Sequence, residues 1–457
     1  MSDQPLQQPQ FIDEVAGEAL PPRPLVRAAP RGARLPGQPE TVARTLERRL
    51  SFIGTLDRPL LVVIVMLLAL GMMMVYSTTF YWSDTEFGSE IALLIRHASN
   101  VGIGLVAMGL VTLLDYRMMR RLAVIVMLAA ISFLIAVLLF GDRTFGARRA
   151  LINGRFQPGE FTELAIIIYM AAWLGSKRAR IRSFTYGFIP FVVLVGIVVV
   201  LVLLQPDIST AGVIFATSFV MFFLAGADMR QILIAGGAAV VLSVVTILLF
   251  PDFFAYAANR IDTWWAGLND LTQTNYQAKQ AVIAFLSGGW TGVGLGEGRQ
   301  KFLALPAPHT DSIFAVIGEE LGVIGAALVL LLYVAFIIRA FQIARRAPDA
   351  FGALLATGVA VWVALKALLN VAVMTALLPT TGVPLPFISY GGSSLVVLLT
   401  GVGLLLSVHR GTVLQKNTPD RRIAVGTTVT AYDRSRRDGR TRLPRAGRSR
   451  GDDRPVP

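Results

Sequence analysis

The chain has 457 residues, of which 54% are hydrophobic and only 16% are charged. A soluble protein of this length carries more charge and shorter apolar runs. Several runs here approach the ~20 residues that cross a bilayer, so the sequence describes an all-α polytopic membrane protein. With no cysteine and three histidines, it excludes disulfides, thiolate metal centres, a cysteine nucleophile and a His-rich metal site.

Residues 1–57 read as a polar, Pro/Arg-rich tail, and the first apolar run begins near Leu60. Ten membrane helices are expected at 59–82, 98–114, 122–141, 158–176, 186–205, 208–227, 231–250, 312–338, 351–378 and 387–408. The fourth is the weakest, because its uncharged part, Leu164 to Ser176, spans only if Gln157 to Glu163 also enter the membrane region. The chain therefore divides into a tail at 1–57, a membrane domain at 58–410 and a second tail at 411–457. Eight Lys/Arg precede residue 59 and thirteen follow residue 409. That places much of the +13 net charge in the tails and argues against nucleic acid as a partner. Basic tails beside membrane helices hold the cytoplasmic side or touch anionic lipid, and neither tail has the composition of a folded unit. The basic loops around Arg117, Lys177 and Arg345 fall on the same side as both termini, which the positive-inside rule makes cytoplasmic.

Residues 142–157 break that rule: they fall outside, yet carry Arg143, Arg148, Arg149 and Arg155. Either the rule, being statistical, fails locally, or these guanidinium groups meet an external anion such as a phosphate. Pro158 suits the first position of the fourth helix, and Glu160 suits its first turn, where the helix dipole favours an anion. Glu163, one turn deeper, is not explained that way. Segment 251–311 is expected to be a large external loop, too long for a plain connector. Its glycine series from Gly288 to Gly298 lacks the strand and helix of a dinucleotide site and the Gly-Lys-Ser/Thr of a P-loop. Glycines there let the backbone approach a ligand, with Arg299 and Lys301 adding charge.

Asp311 precedes the apolar run Ile313 to Ile317. It is either a helix N-cap or a carboxylate kept at a membrane-helix mouth for a use. Glu319 and Glu320 lie within the eighth helix, and Lys366 and Asn370 share one face of the ninth. Such groups either pair structurally or line a cavity. Pro379, Pro384 and Pro386 force an irregular external segment, and Gly391-Gly392-Ser393-Ser394 after it allows close packing and hydrogen bonds.

These segments resemble the SEDS family (shape, elongation, division, sporulation), which includes FtsW and RodA. The matching residues are Gln157-Pro158 with Glu160, Gln205-Pro206-Asp207, Tyr276-Gln277, Gly292 to Gly296, Leu305-Pro306, His309-Thr310-Asp311, Ile313-Phe314-Ala315, Gly318 to Gly322, Asn370 and the 379–394 block. They span roughly 58–410. Gly-Val-Gly-Leu-Gly, Arg299-Gln300-Lys301 and Gly318-Glu319-Glu320 look more like FtsW, whereas Gln205-Pro206-Asp207 is more RodA-like.

The resemblance implies a peptidoglycan glycosyltransferase that polymerises lipid II into nascent glycan at the outer face of the bacterial cytoplasmic membrane, at the division septum. It implies a class B penicillin-binding protein and other division proteins as partners, and a divalent cation, Mg or Mn, whose ligands stay unassigned. It makes Asp311 the general base of an inverting transfer. Lys279 and Arg299 rank first as cations for the pyrophosphate, followed by Lys301, Arg148, Arg149 and Arg155. Glu160, His309, Thr310, Ser389, Tyr390 and Ser393 are the other expected substrate contacts, with Glu319, Glu320, Lys366 and Asn370 as cavity or structural groups. Two departures stand out: a Lys is usual where Glu163 stands and a Gln where Lys366 stands, which points to a relocated charge pair between the fourth and ninth helices. The Arg-Trp often found before the fourth helix is here Arg149-Ala150. Two rival readings remain: a lipid II flippase, which would use the deep charges, and a non-catalytic division scaffold, in which Asp311 is only a cap.

Overall fold

A computed structural model describes residues 55–144, 147–151, 156–177, 181–249, 251–270 and 272–417. Each of the ten expected spans coincides with a helix. They are α1 (Arg58–Phe87), α2 (Ala92–Leu113), α3 (Tyr116–Phe140), α4 (Pro158–Lys177), α5 (Ile189–Leu203, entered through a π turn at Phe184–Phe188), α6 (Ile208–Leu224), α7 (Met229–Leu249), α11 (Ile313–Arg346), α12 (Ala350–Met374) and α13 (Ser393–Asn417). Between α3 and α4 the chain forms a two-stranded antiparallel hairpin, β1 (Asp142–Thr144) and β2 (Ala147–Ala150). Among the described residues, seven helices are long and apolar enough to cross a membrane, and two shorter apolar ones lie at Ile208–Leu224 and Met229–Val241.

The helix starts follow from short polar side chains. Asp57, Asp115, Asp207, Asn275 and Asp349 each accept a backbone N–H of the first turn that follows, using amides that have no intrahelical partner. Asp57 also ties α1 to α11 through Arg339 Nη2 at 2.7 Å. Helix α4 falls outside the seven because Glu160 and Glu163 dilute its apolar character. Its surroundings account for that composition: Leu164 to Ile168, Met170 and Ala171 are all buried, so most of α4 is packed in protein. Helices α12 and α13 are the most buried of the seven. Side chains such as Leu139, Phe140, Leu233 and Val240 on the outer helices stay exposed, as lipid-facing positions do.

One expectation is corrected here. Segment 251–311 carries helices of its own between the seventh and eighth spans, α8 (Pro251–Asn269), α9 (Tyr276–Gly288) and the short α10 (Gln300–Leu303). Its glycine series does bring backbones together, but the partner is the chain's own α11. That helix breaks at Gly322 (φ 67°, ψ −171°), and residues 289–294 fill the break. Val293 and Gly294 N–H groups donate to the carbonyls of Glu319 and Glu320, while Val323 and Ile324 N–H groups donate to those of Gly289 and Trp290, all at 3.0–3.1 Å. The polar groups freed by the kink are thereby satisfied, as a helix in an apolar medium requires. A Cβ on Gly292 would sit 2.1 Å from the Glu320 carbonyl oxygen, and one on Gly322 would sit 2.4 Å from the Gly292 nitrogen.

Candidate functional site: an end-on cavity beside Asp311

A cavity of about 2200 Å3 opens at the end of the bundle where α4, α6 and α11 begin and α12 ends. Asp311 is on its wall, in the loop that leads into α11. Asp311 is not the cap of that helix: Ser312 takes the N-cap position, with no side-chain cap bond. The carboxylate is therefore not spent on capping α11.

The loop around it is fixed residue by residue. The His309 carbonyl accepts from Tyr390 N–H at 2.8 Å, the Thr310 carbonyl from Ser389 Oγ at 2.6 Å, and the Asp311 carbonyl from Asn370 Nδ2 at 2.7 Å. Ser312 Oγ donates to the Pro306 carbonyl at 2.7 Å and accepts from Gln277 Nε2 at 2.9 Å. Three separate elements (α9, α12 and the 379–392 segment) thus hold consecutive residues of one loop, and this fixes the direction of the Asp311 side chain. Burial pushes the Asp311 carboxyl above its ordinary range, while hydrogen bonds from Thr310 and its own amide and the charge of Arg260 act the other way. Burial also holds the His309 imidazole below its usual value, which keeps it neutral near pH 7.

Deeper in the cavity, Glu163 Oε2 accepts from Lys366 Nζ at 2.7 Å and from Trp362 Nε1 at 2.9 Å. The relocated charge pair between the fourth and ninth spans is present. Trp362, Lys366 and Asn370 follow one another at i, i+4 and i+8, so one face of α12 joins this pair to the Asp311 loop. Glu160 lies alongside and accepts from Ser393 Oγ at 2.6 Å.

The other expected residues divide. Glu160, His309, Thr310, Tyr390, Ser393 and Lys366 line the cavity. Ser389 and Asn370 are buried and serve the loop rather than the open space. Lys279 and Arg299, ranked first for a pyrophosphate, are exposed and are not part of the cavity wall. Lys301 touches the wall, but its three donors go to Glu320 Oε1 at 2.6 Å and to Ser77 Oγ and the Gly296 carbonyl at 2.8 Å. It is the internal partner of Glu320, while Glu319 accepts from the Arg299 and Gln300 amides; these groups are structural. Arg155 and the side chains of Arg148 and Arg149 lie outside the described residues.

Sequence reasoning missed two basic residues. Arg96 and Arg260 both line the cavity, and Arg260 Nη1 donates to the Thr380 carbonyl at 2.8 Å. Arg96 had a signal: it sits at the start of an apolar helix, but the span was drawn from residue 98 and left it outside. Among the described residues, no group of three or more His, Asp or Glu could hold a metal ion.

The array of long apolar helices defines a polytopic helical membrane protein. The chain belongs to the FtsW/RodA/SpoVE family, described as cell cycle protein, whose model matches residues 58–413. Stage V sporulation protein E of Bacillus subtilis is 37% identical over 358 residues, covering 78% of this chain and 97% of that protein. A Trichlorobacter lovleyi protein named probable peptidoglycan glycosyltransferase FtsW is 39% identical over 359 residues, covering 78% and 93%. Among solved structures, the rod shape determining protein RodA of Thermus thermophilus aligns with a TM-score of 0.58 at 29% identity, covering 78% of this chain and 97% of RodA. A chain from a peptidoglycan synthase complex that coordinates polymerization and crosslinking aligns with a TM-score of 0.64 at 27% identity, covering 78% and 98%.

Proposed function

We propose that this protein is a peptidoglycan glycosyltransferase that polymerises lipid II at the outer face of the cytoplasmic membrane, in septal wall synthesis. The observation that carries the reading is the Asp311 carboxylate, free of capping duty and held by its loop beside Arg260 on a large cavity. Its near relatives carry the corresponding activity in their names.

The chemistry needs a base for the acceptor and cations for the leaving group. The 4-hydroxyl oxygen of the acceptor GlcNAc attacks the anomeric carbon of the donor MurNAc, and Asp311 takes the hydroxyl proton. The bond from that carbon to the pyrophosphate breaks, and the polyprenyl pyrophosphate departs with the electron pair. Attack opposite the leaving group inverts the anomeric centre. Arg260 and Arg96 replace Lys279, Arg299 and Lys301 as the cations that meet the pyrophosphate. A divalent cation finds no cage of protein carboxylates among the described residues. Such an ion would arrive with the substrate phosphates, as magnesium commonly does, and no residue here is assigned to it.

The partner on this reading is a class B penicillin-binding protein, in keeping with the synthase complex among the structural neighbours. The flippase reading is less favoured, because the deep charges it would use are already engaged: Lys366 with Glu163, and Glu320 with Lys301. Purified protein with its partner and lipid II should make glycan chains. Movement of lipid II across vesicles without any polymer would overturn the assignment in favour of a flippase, and neither activity would leave only a scaffold.

A further inference from the structure

Threonines on the helices commonly hand their hydroxyl to a carbonyl one turn back, as Thr162 does with Pro158 at 2.8 Å and Thr400 with Val396 at 2.7 Å. Among the described residues, four buried hydroxyls have no hydrogen-bond partner: Thr217, Ser218, Thr380 and Thr381. Thr217 and Ser218 lie on α6 and are not part of the cavity wall, whereas Thr380 and Thr381 are. These two stand just past α12 in a non-helical stretch, where the helical carbonyl one turn back is not on offer. Thr380 is only 4% exposed. A buried hydroxyl without a partner costs free energy, and valine would fill the same space without that cost.

The stretch that carries them is pinned by two helices. From α8, Arg260 Nη1 donates to the Thr380 carbonyl at 2.8 Å and Trp264 Nε1 to the Ala376 carbonyl at 3.2 Å. From α12, Asn370 Nδ2 donates to the Val383 carbonyl at 2.9 Å, and the same nitrogen holds the Asp311 carbonyl at 2.7 Å. Gly382 adjoins the carboxylate itself: a Cβ there would sit 3.7 Å from Asp311 Oδ2. The two hydroxyls are thus preorganised within two residues of the contact with Asp311.

A general base lies within hydrogen-bond reach of the hydroxyl it deprotonates. Groups beside Asp311 therefore lie beside the acceptor sugar, while the leaving group departs from the opposite face of the donor's anomeric carbon. On the acceptor GlcNAc, the reacting 4-hydroxyl is flanked by the 3-hydroxyl on the ring and the 6-hydroxyl on its side arm. Each of these both donates and accepts, as a threonine hydroxyl does. We infer that Thr380 and Thr381 bind the acceptor sugar through the 3- and 6-hydroxyls, one each, and so aim the 4-hydroxyl between them at Asp311. This rests on the glycosyl-transfer reading above and adds to it an acceptor subsite with two specificity-determining residues.

The test uses the full-length protein with its partner in lipid nanodiscs and two probes that separate the roles. The donor probe is lipid II with a methylated GlcNAc 4-hydroxyl, which donates but does not accept. The acceptor probe is lipid II whose anomeric carbon is joined to phosphorus through carbon, which accepts but does not donate. Thr380→Val and Thr381→Val should each raise the KM for the acceptor probe about tenfold, the loss of one hydrogen bond in a buried site, and leave the KM for the donor probe within about twofold. Acceptor probes lacking the 3- or the 6-hydroxyl should each lose about tenfold with the wild type, and each variant should be indifferent to one of the two. Valine keeps the side chain's shape and breaks no hydrogen bond in the free protein, so the unfolding temperature should not fall. The inference is overturned if the variants shift both probes alike, shift neither, or stay sensitive to both missing hydroxyls. Binding of the acceptor probe is also read without turnover. Threonine-dependent binding to a protein that forms no glycosidic bond would refute glycosyl transfer and support the sugar site. Bond formation with an unchanged acceptor KM would overturn the inference alone.

Discussion

The Glu163–Lys366 pair makes a sharp prediction, because its two charges sit on different helices in the buried interior of the bundle. The side chains are 2% and 8% exposed, so neither charge has water to fall back on. Glu163→Lys removes the counter-charge and places a second ammonium at the same site. Breaking a buried pair costs about 3–5 kcal/mol. Two like charges about 4 Å apart add roughly 4 kcal/mol at an effective dielectric constant near 20. A protein stable by about 5–15 kcal/mol will show this as lost folded yield and early thermal unfolding in detergent. Adding Lys366→Gln removes the repulsion and leaves a single lysine beside Glu160 and Asp207. The double variant should recover at least about 2 kcal/mol of the loss, well short of full recovery because the Trp362 indole N–H still lacks its acceptor. Thermal unfolding monitored by size-exclusion chromatography ranks the variants directly. Equal damage from the single and double variants would refute the pairing as an energetic unit.

Three further outcomes follow. Asn370→Asp keeps the side chain's shape but removes the donors to the Asp311 and Val383 carbonyls; glycan synthesis should fall about tenfold or more while thermal stability changes less than in Glu163→Lys. Gly322→Ala should destabilise by about 1–3 kcal/mol or more, since it combines a left-handed φ with a contact of 2.4 Å to the Gly292 nitrogen; unfolding temperature checks this. The raised carboxyl of Asp311 has a pH consequence. The folded state binds its proton more tightly than the unfolded chain, so this group's contribution to stability is full below the ordinary carboxylate value and is lost as pH rises through the folded one. Activity needs the ionised form, so the acid limb of the rate profile should lie above that ordinary value, and Arg260→Gln should move it higher. An unmoved limb would show that Arg260 does not act on this carboxylate.

Much of the frame could be read from the residues. Hydropathy located the spans, including the weak α4. The Glu163–Lys366 pair was visible through the family resemblance, which puts a Lys where Glu163 stands and a Gln where Lys366 stands. What the sequence could not show was partnership at long range. Lys301 and Arg299 look like a basic ligand site beside flexible glycines, yet Lys301 is the counter-ion of Glu320, and the glycines fill a helix break that only the folded chain reveals. Ser389 looked like a substrate contact, but its hydroxyl is spent on the carbonyl of Thr310. Arg260 carried no local signal, because its place on the cavity depends on how α8 folds back toward Thr380.

The central claim is that the Asp311 carboxylate takes the acceptor proton. Asp311→Asn is nearly isosteric and leaves intact the loop bonds made by its backbone. Purified with its partner and given lipid II, this variant should make no glycan strands at a pH where the wild type does, while unfolding at the same temperature and still binding lipid II. Glycan synthesis by folded Asp311→Asn at the wild-type rate would contradict the account.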